Sequence, residues 1–208
     1  MHPRFDDVVR SAKSAGIPGV HLRTELLCDR GMLDRLLACG VDVISVDLNA
    51  DRAATYQAMM GIDRFKDVLI NIDYLLQHRR RLTAQAGTSA FALPWIVPHL
   101  QRRVETFEDI DTFFERWQHT LGTAVIDGPP PFDTSDSLTP ALTPARVTER
   151  DRGQCMTIFC DGSVPIDEWD WPCNHSAGNI AHGSLRDLWR VVREQRNRPI
   201  ATGNEVAR

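Results

Sequence analysis

GVDVISVDLNA, residues 40–50, decides how the rest of the chain is read. Ile44, Val46 and Leu48 are apolar, and Ser45 and Asp47 fall between them. Side chains alternate between the two faces of a strand. One face of this strand therefore packs against a core, and the other presents Ser45 and Asp47. Helical patterns flank it. Met32, Leu33, Leu36 and Leu37 recur at helical spacing and stop at Gly40. A helix near 51–59 follows, then a longer one with Phe65, Val68, Leu69, Ile72, Leu75 and Leu76 on one stripe.

The same alternation of elements extends outward in both directions. Phe5, Val8, Val9 and Ala12 mark an amphipathic helix over 4–15, and Val20–Thr24 reads as a short strand. Downstream, a strand over Phe91–Pro98 precedes a helix with Ile110, Phe113, Phe114, Trp117 and Leu121 on one face, and Thr123–Asp127 is a further strand. Strand alternating with helix predicts an α/β unit with parallel strands and right-handed crossovers. In the strand at 20–24, Val20 and Leu22 face the helices, so His21, Arg23 and Glu25 join Ser45 and Asp47 on the inner side. In a closed parallel barrel that side is the lumen. Charged groups there need partners, either one another or a polar ligand. Arg79–Arg81, at the end of the long helix, suits the negative end of the helix dipole and reads as a solvated helix end.

Composition narrows the class. At 208 residues the chain has room for one sizeable domain, or a large one with a small appendage. A net charge of -4 gives no electrostatic case for nucleic acid or an anionic membrane, so neither is expected as a partner. No long apolar run could span a bilayer, and the first residues lack a signal-peptide core. Five unevenly placed cysteines argue for a reducing compartment over a disulfide framework. These features predict a soluble cytoplasmic protein. Residues 128–152, with Pro129–Pro131 and two Thr-Pro pairs, read as a linker. It separates residues 1–127 from a cysteine-bearing segment over 153–192, with 193–208 as a tail.

That segment contains CMTIFCDGSVPIDEWDWPCNHSAGNIAHGSLRDLW, residues 155–189. A short strand through Met156 and Ile158 is predicted to turn at Asp161-Gly162, a dipeptide suited to tight hairpins. It returns through Val164 toward Trp169 and Trp171. After a loop holding Cys173, Gly178 and Asn179 comes a helix capped by Ser184, with Asp187 answering three residues later. Cys155, Cys160 and Cys173 are candidate metal ligands, because thiolates on a hairpin and its loops can converge on one cluster. The mixed supply of Cys, His and Asp over 155–175 is also compatible with zinc.

The order cysteine, DG turn, cysteine, GNI and SL..LW resembles the SPASM (or shorter twitch) domain that follows the barrel of many radical S-adenosylmethionine enzymes. The resemblance continues upstream. GIPGVHLRTELL, GVDVISVDLNA, TYQAMMG and FKDVLINIDYLL look in that order like the third and fourth βα units of such a barrel. WIVPHLQRRVETFEDIDTFFERW is similar to the fifth unit and TAVIDG to the sixth strand. The likeness implies an α/β fold in which strands three to six of a partial (βα)6 barrel precede a SPASM-like hairpin-and-helix domain.

It implies sites as well. Thr24 and Glu25 stand where the family has a TNG-type turn, and Ser45 and Asp47 where it has a strand contributing to the S-adenosylmethionine ribose site. The hairpin would hold an auxiliary iron–sulfur cluster on Cys155, Cys160 and Cys173. Its fourth ligand would be Asp167, at the position where the family has a cysteine, or the neighbouring Glu168, or His175. Two family features have no counterpart: the CxxxCxxC loop and the GGEP-type turn after strand two. Cys28 and Cys39 are too far apart to form the former, and His2-Pro3 looks like the continuation of the latter, as though Met1 interrupted a longer frame. The expectation is a chain that cannot cleave S-adenosylmethionine alone and depends on an N-terminal half or partner subunit. Its expected substrates are peptides or proteins. A non-catalytic iron–sulfur or zinc module is the alternative.

Overall fold

The computed structural model describes residues 4–86, 93–128, 154–167 and 170–197. These fall into two units, one before and one after residues 129–153, so that the Pro-rich segment lies almost wholly outside the described residues.

The first unit alternates helices and strands as expected: α1 (Phe5–Ser14), β1 (His21–Thr24), α2 (Arg30–Ala38), β2 (Val43–Asp47), α3 (Ala53–Met60), α4 (Phe65–Ala86), β3 (Trp95–Gln101), a 3-10 turn at Phe107–Asp109, α5 (Ile110–Leu121) and β4 (Val125–Asp127). The strands form one parallel sheet in sequential order, β1-β2-β3-β4. An order that never reverses, joined by right-handed crossovers, winds the connecting helices onto one face. Burial agrees. Ile44, Val46, Ile96 and Leu100 are fully buried in one core with Leu33 and Leu36 of α2, Val68, Ile72 and Leu75 of α4, and Phe113 and Trp117 of α5. Each fully buried Leu, Ile or Phe contributes about 1.5–3 kcal/mol, so this helix-side layer is what holds the sheet.

Local chemistry sets the ends of the elements. Asp29 caps α2 by accepting from the Met32 amide at 2.8 Å. The α3 N-terminus is capped from a distance. The carboxylate of Asp109, buried completely, accepts from the amides of Asp51 and Arg52 at 2.7 and 3.0 Å and from Arg52 Nε at 2.6 Å. Leu26 and Asn49 follow β1 and β2 in left-handed conformations, φ 57° and 56°. Asn71 Nδ2 fixes the first of these turns through the carbonyls of Leu26 and Cys28, and Asn49 Oδ1 takes the Gln101 amide in the second.

Details of the first unit differ from the sequence reading. The third strand runs Trp95–Gln101, several residues later than the predicted Phe91–Pro98, because Pro98 is accommodated mid-strand opposite Val46 instead of ending it. Phe91 and Ala92 lie outside the described residues. On α5, Phe114 is exposed, since it sits one residue round the helix from buried Phe113.

In the second unit the antiparallel pair is β5 (Ser163–Pro165) with β6 (Ser176–Asn179), followed by α6 (Leu185–Arg196). The predicted strand through Met156 and Ile158 is not a strand. The chain there has no regular secondary structure, although Phe159 donates its amide to the Ser163 carbonyl and accepts from the Gly162 amide, both at 2.9 Å, so a tight turn does form at Asp161-Gly162. Asn179 joins that turn to the loop beyond β6: its Nδ2 donates to the Asp161 carbonyl at 3.0 Å and its Oδ1 accepts from Ala181 at 2.8 Å. Gly178 has φ 131°, and a Cβ there would meet Leu188 Cδ2 at 2.9 Å. Ser184 caps α6, as predicted, and the helix runs to Arg196, into the segment expected as a tail. Val164, Leu188 and Val192 make a small core of their own. Among the described residues no helix is long and apolar enough to cross a membrane.

Candidate functional site

The sheet face opposite the core carries a polar network. In the parallel register His21 and Arg23 of β1, Ser45 and Asp47 of β2, His99 of β3 and Asp127 of β4 share that face, alternating with the core residues. Ser45 is 2% exposed and His99 8%, so both are withdrawn from solvent on the sheet's own surface. Ser45 Oγ lies 2.7 Å from His21 Nε2 and 2.9 Å from His99 Nε2. His99 Nδ1 lies 2.9 Å from Asp127 Oδ2. A carboxylate only accepts, so Nδ1 of a neutral His99 donates to Asp127. Its Nε2 then accepts the Ser45 hydroxyl proton, and Ser45 Oγ accepts from His21.

Arg23 closes the network from the edge strand. Its Nε donates to Asp47 Oδ1 and Oδ2 at 2.8 and 3.1 Å, and its Nη2 lies 2.6 Å from both Asp47 Oδ1 and Asp127 Oδ2. One guanidinium nitrogen thus sits between carboxylates from two different strands. The Asp47 hydrogen bond, followed by that to Asp127, raises the Arg23 pKa further despite partial burial, so the group is permanently cationic. Burial pushes the Asp127 carboxyl up, but the bonds from His99 and Arg23 outweigh it and hold the carboxyl below its ordinary value. Burial, then the neighbouring His99 and Arg23, lowers His21.

Of the residues singled out in the sequence, Ser45, Asp47, His21 and Arg23 come together here. Thr24 faces the helix side beside Val46, where its hydroxyl accepts from the Leu26 amide at 3.0 Å, and Glu25 is exposed beyond the strand end. Thr24 and Glu25 therefore do not join the network. His99 and Asp127 were missed by the sequence reading. The signal was present: Ile96, Pro98 and Leu100 alternate with Val97, His99 and Gln101, but ending the strand at Pro98 left His99 outside it.

Asp47, His99 and Asp127 each offer a ligand atom within 4.8 Å of the others, which makes them a candidate metal-binding triad. The thiol site differs. Cys155 and Cys160 are exposed and Cys173 half-buried, and among the described residues these cysteines, with Asp167 and His175, do not bring three ligand atoms that close together. Glu168 lies outside the described residues. Asp170 shapes the Cys173 loop: its carboxylate accepts from the amides of Asn174 and His175 at 3.0 and 2.7 Å, and its carbonyl from the Cys173 amide at 2.8 Å. Arg196 fixes the Cys155 end by donating to the Cys155 and Ile166 carbonyls.

Arg79 and Arg80 line a cleft of about 390 Å³ between α4 and α5, with Leu76, Thr83 and Leu121. The cleft lies in the helix layer, away from the polar face. The Arg79 guanidinium stacks on Trp95 at 4.8 Å and α4 continues to Ala86, so the basic run lies within the helix and Arg79 is packed, where a solvated helix end was expected.

The fold and network together define a mixed α/β protein with a sequentially ordered parallel sheet and a polar free face. No family model matches the chain. It is similar to a Treponema pallidum (strain Nichols) protein described as uncharacterized, with 24% identity over 128 residues, or 59% of this chain. The chain spans about a third of the length of that curated relative.

Proposed function

We propose that the chain is the C-terminal portion of a radical S-adenosylmethionine protein of the cytoplasm, comprising strands three to six of a (βα)6 barrel and a SPASM-like unit. The observation that supports this most is the division of faces in the sheet. Helices cover one side and hydrogen-bonded His, Ser, Asp and Arg side chains occupy the other, as a sector of a barrel wall requires. The edge strand β1, paired only with β2 among the described residues, is where a further strand from an N-terminal half or partner subunit would add.

S-adenosylmethionine held against a reduced iron–sulfur cluster supplies a carbon radical that abstracts hydrogen from a substrate, here proposed to be a peptide or protein. The cluster loop has no counterpart in this chain, so its residues serve in binding and positioning. Asp47, at the strand's C-terminal end and partly exposed, is the group able to accept from ribose hydroxyls. Ser45 is engaged by two imidazoles and positions them; Arg23 holds the Asp47 carboxylate in place through a forked pair of hydrogen bonds. Thr24 and Glu25, off the network, are left without a ligand role.

An auxiliary cluster on Cys155, Cys160, Cys173 and Asp167 rests on the resemblance alone. The described loops do not gather these groups, and no step is assigned to a cluster there. A second reading, a non-catalytic iron–sulfur or zinc module, is favoured by the network's hydrogen-bonding its side chains to one another without a ligand. Reductive cleavage assays separate the two. On the leading reading the purified chain with S-adenosylmethionine and dithionite yields no 5′-deoxyadenosine until an N-terminal half bearing CxxxCxxC is supplied. If that combination also yields none, the leading reading fails. Elemental analysis after anaerobic purification, including Cys155→Ala and Cys173→Ala variants, then tells iron with sulfide from zinc and shows whether these thiols hold either.

A further inference from the structure

We infer that the C-terminal ends of β2, β3 and β4 form a divalent-cation site in which a metal ion and the Arg23 guanidinium compete for the same two carboxylates. The inference goes beyond the radical reading and does not depend on it. Arg23 Nη2 lies 2.6 Å from both Asp47 Oδ1 and Asp127 Oδ2, so a single positive nitrogen occupies the point where these carboxylates converge. A guanidinium pairs best as a fork with one carboxylate. Here the fork serves Asp47, and Asp127 receives one shared nitrogen. The two carboxylates together carry a charge of about -2, which a divalent ion balances once it displaces the guanidinium that offsets only half of it.

The third ligand is built into the wall. His99 is nearly buried and its Nε2 is held by Ser45, which points Nδ1 toward Asp127. This is the outer support that metal-bound imidazoles ordinarily have. The hydrogen-bond chain can reverse to suit: with Nδ1 on a metal, His99 Nε2–H donates to Ser45 Oγ, and Ser45 donates to His21. Two carboxylate oxygens and one imidazole nitrogen suit Mn²⁺, Fe²⁺ or Zn²⁺ over softer ions, and the ligands stand where parallel sheets bind, at the carboxyl ends of strands.

Mn²⁺ is the probe of choice because the chain's five thiols compete for it poorly. Binding to the full chain is read from loss of the free-ion paramagnetic resonance signal. The expected result is one Mn²⁺ per chain, weakened roughly tenfold or more in Asp127→Asn and His99→Ala, and about tenfold in Ser45→Ala, which removes only the outer support. Arg23→Gln should tighten binding about fivefold by removing the competitor. A misfolded variant could not bind more tightly, so that gain guards against loss through unfolding. Absence of Mn²⁺ binding, binding indifferent to Asp127→Asn, or binding unchanged or weakened in Arg23→Gln would overturn the inference. None of these outcomes bears on cleavage of S-adenosylmethionine.

Discussion

Removing the Asp109 carboxylate should loosen the connection that carries the end of β2. In the native chain this buried group accepts from the Asp51 and Arg52 amides and from Arg52 Nε. Asp109→Ala leaves the amides at the start of α3 without their acceptor. An unsatisfied buried amide costs about 1–3 kcal/mol, and hydrogen bonds to a charged group are at the strong end of the range. Asp51 is buried, so its amide cannot recover the loss from water. The Arg52 side chain is about half exposed and rehydrates, so its share is small. The total comes to about 3 kcal/mol. Asp109→Asn, which keeps one acceptor oxygen, should cost about half of that. With a urea slope of about 2 kcal/mol per molar, the alanine midpoint falls by about 1.5 M. The assay is urea unfolding followed by circular dichroism. A shift below about 0.3 M for alanine, or an asparagine variant as damaged as alanine, would refute the reasoning.

Gly178→Ala should destabilise the second unit by about 1–3 kcal/mol, since the new methyl meets Leu188 at 2.9 Å in a backbone conformation with φ 131°. Gly16→Ala, with nothing within 4 Å, should cost only its backbone strain, and thermal midpoints of the two variants compare them. The His21 imidazole should titrate below its usual value in proton–nitrogen correlation spectra. Because its folded pKa is depressed, its contribution to stability is complete above about pH 6.5 and is lost as pH falls through the folded value. A midpoint at or above the usual value would contradict the burial argument. Asp109 titrates low for a related reason: burial raises its carboxyl, but the amide and Arg52 bonds outweigh it. Wild-type stability should therefore fall below about pH 4 more steeply than that of Asp109→Asn, as unfolding at pH 6 and pH 3 will show.

Much of the first unit was legible because its signals are local. The alternation in Val43–Asp47 placed Ile44 and Val46 in the core and Ser45 and Asp47 opposite, and the stripe on α4 placed Val68, Ile72 and Leu75. The site was half legible. His21 and Arg23 follow from alternation within one strand, but His99 and Asp127 meet them only through the register of β3 and β4, which no local pattern specifies. The hairpin failed for a similar reason. Met156 and Ile158 alternate like a strand, yet β5 pairs with β6, whose Ser176–Asn179 is small and polar and carries little strand propensity. What holds it is Gly178 under Leu188 and the Asn179 bridge to Asp161, contacts between residues far apart in sequence.

The central claim, that the polar sheet face is the ligand side of an incomplete barrel, is tested most directly by one yield. This is the 5′-deoxyadenosine formed under reducing conditions by the chain combined with an N-terminal half bearing CxxxCxxC, measured for wild type, Asp47→Ala and Glu25→Ala. The account expects no product from the chain alone. It expects product from the combination, a fall of about a hundredfold in Asp47→Ala where a positioning group is lost, and little change in Glu25→Ala. Product from the chain alone, or an Asp47→Ala yield equal to wild type, would contradict it.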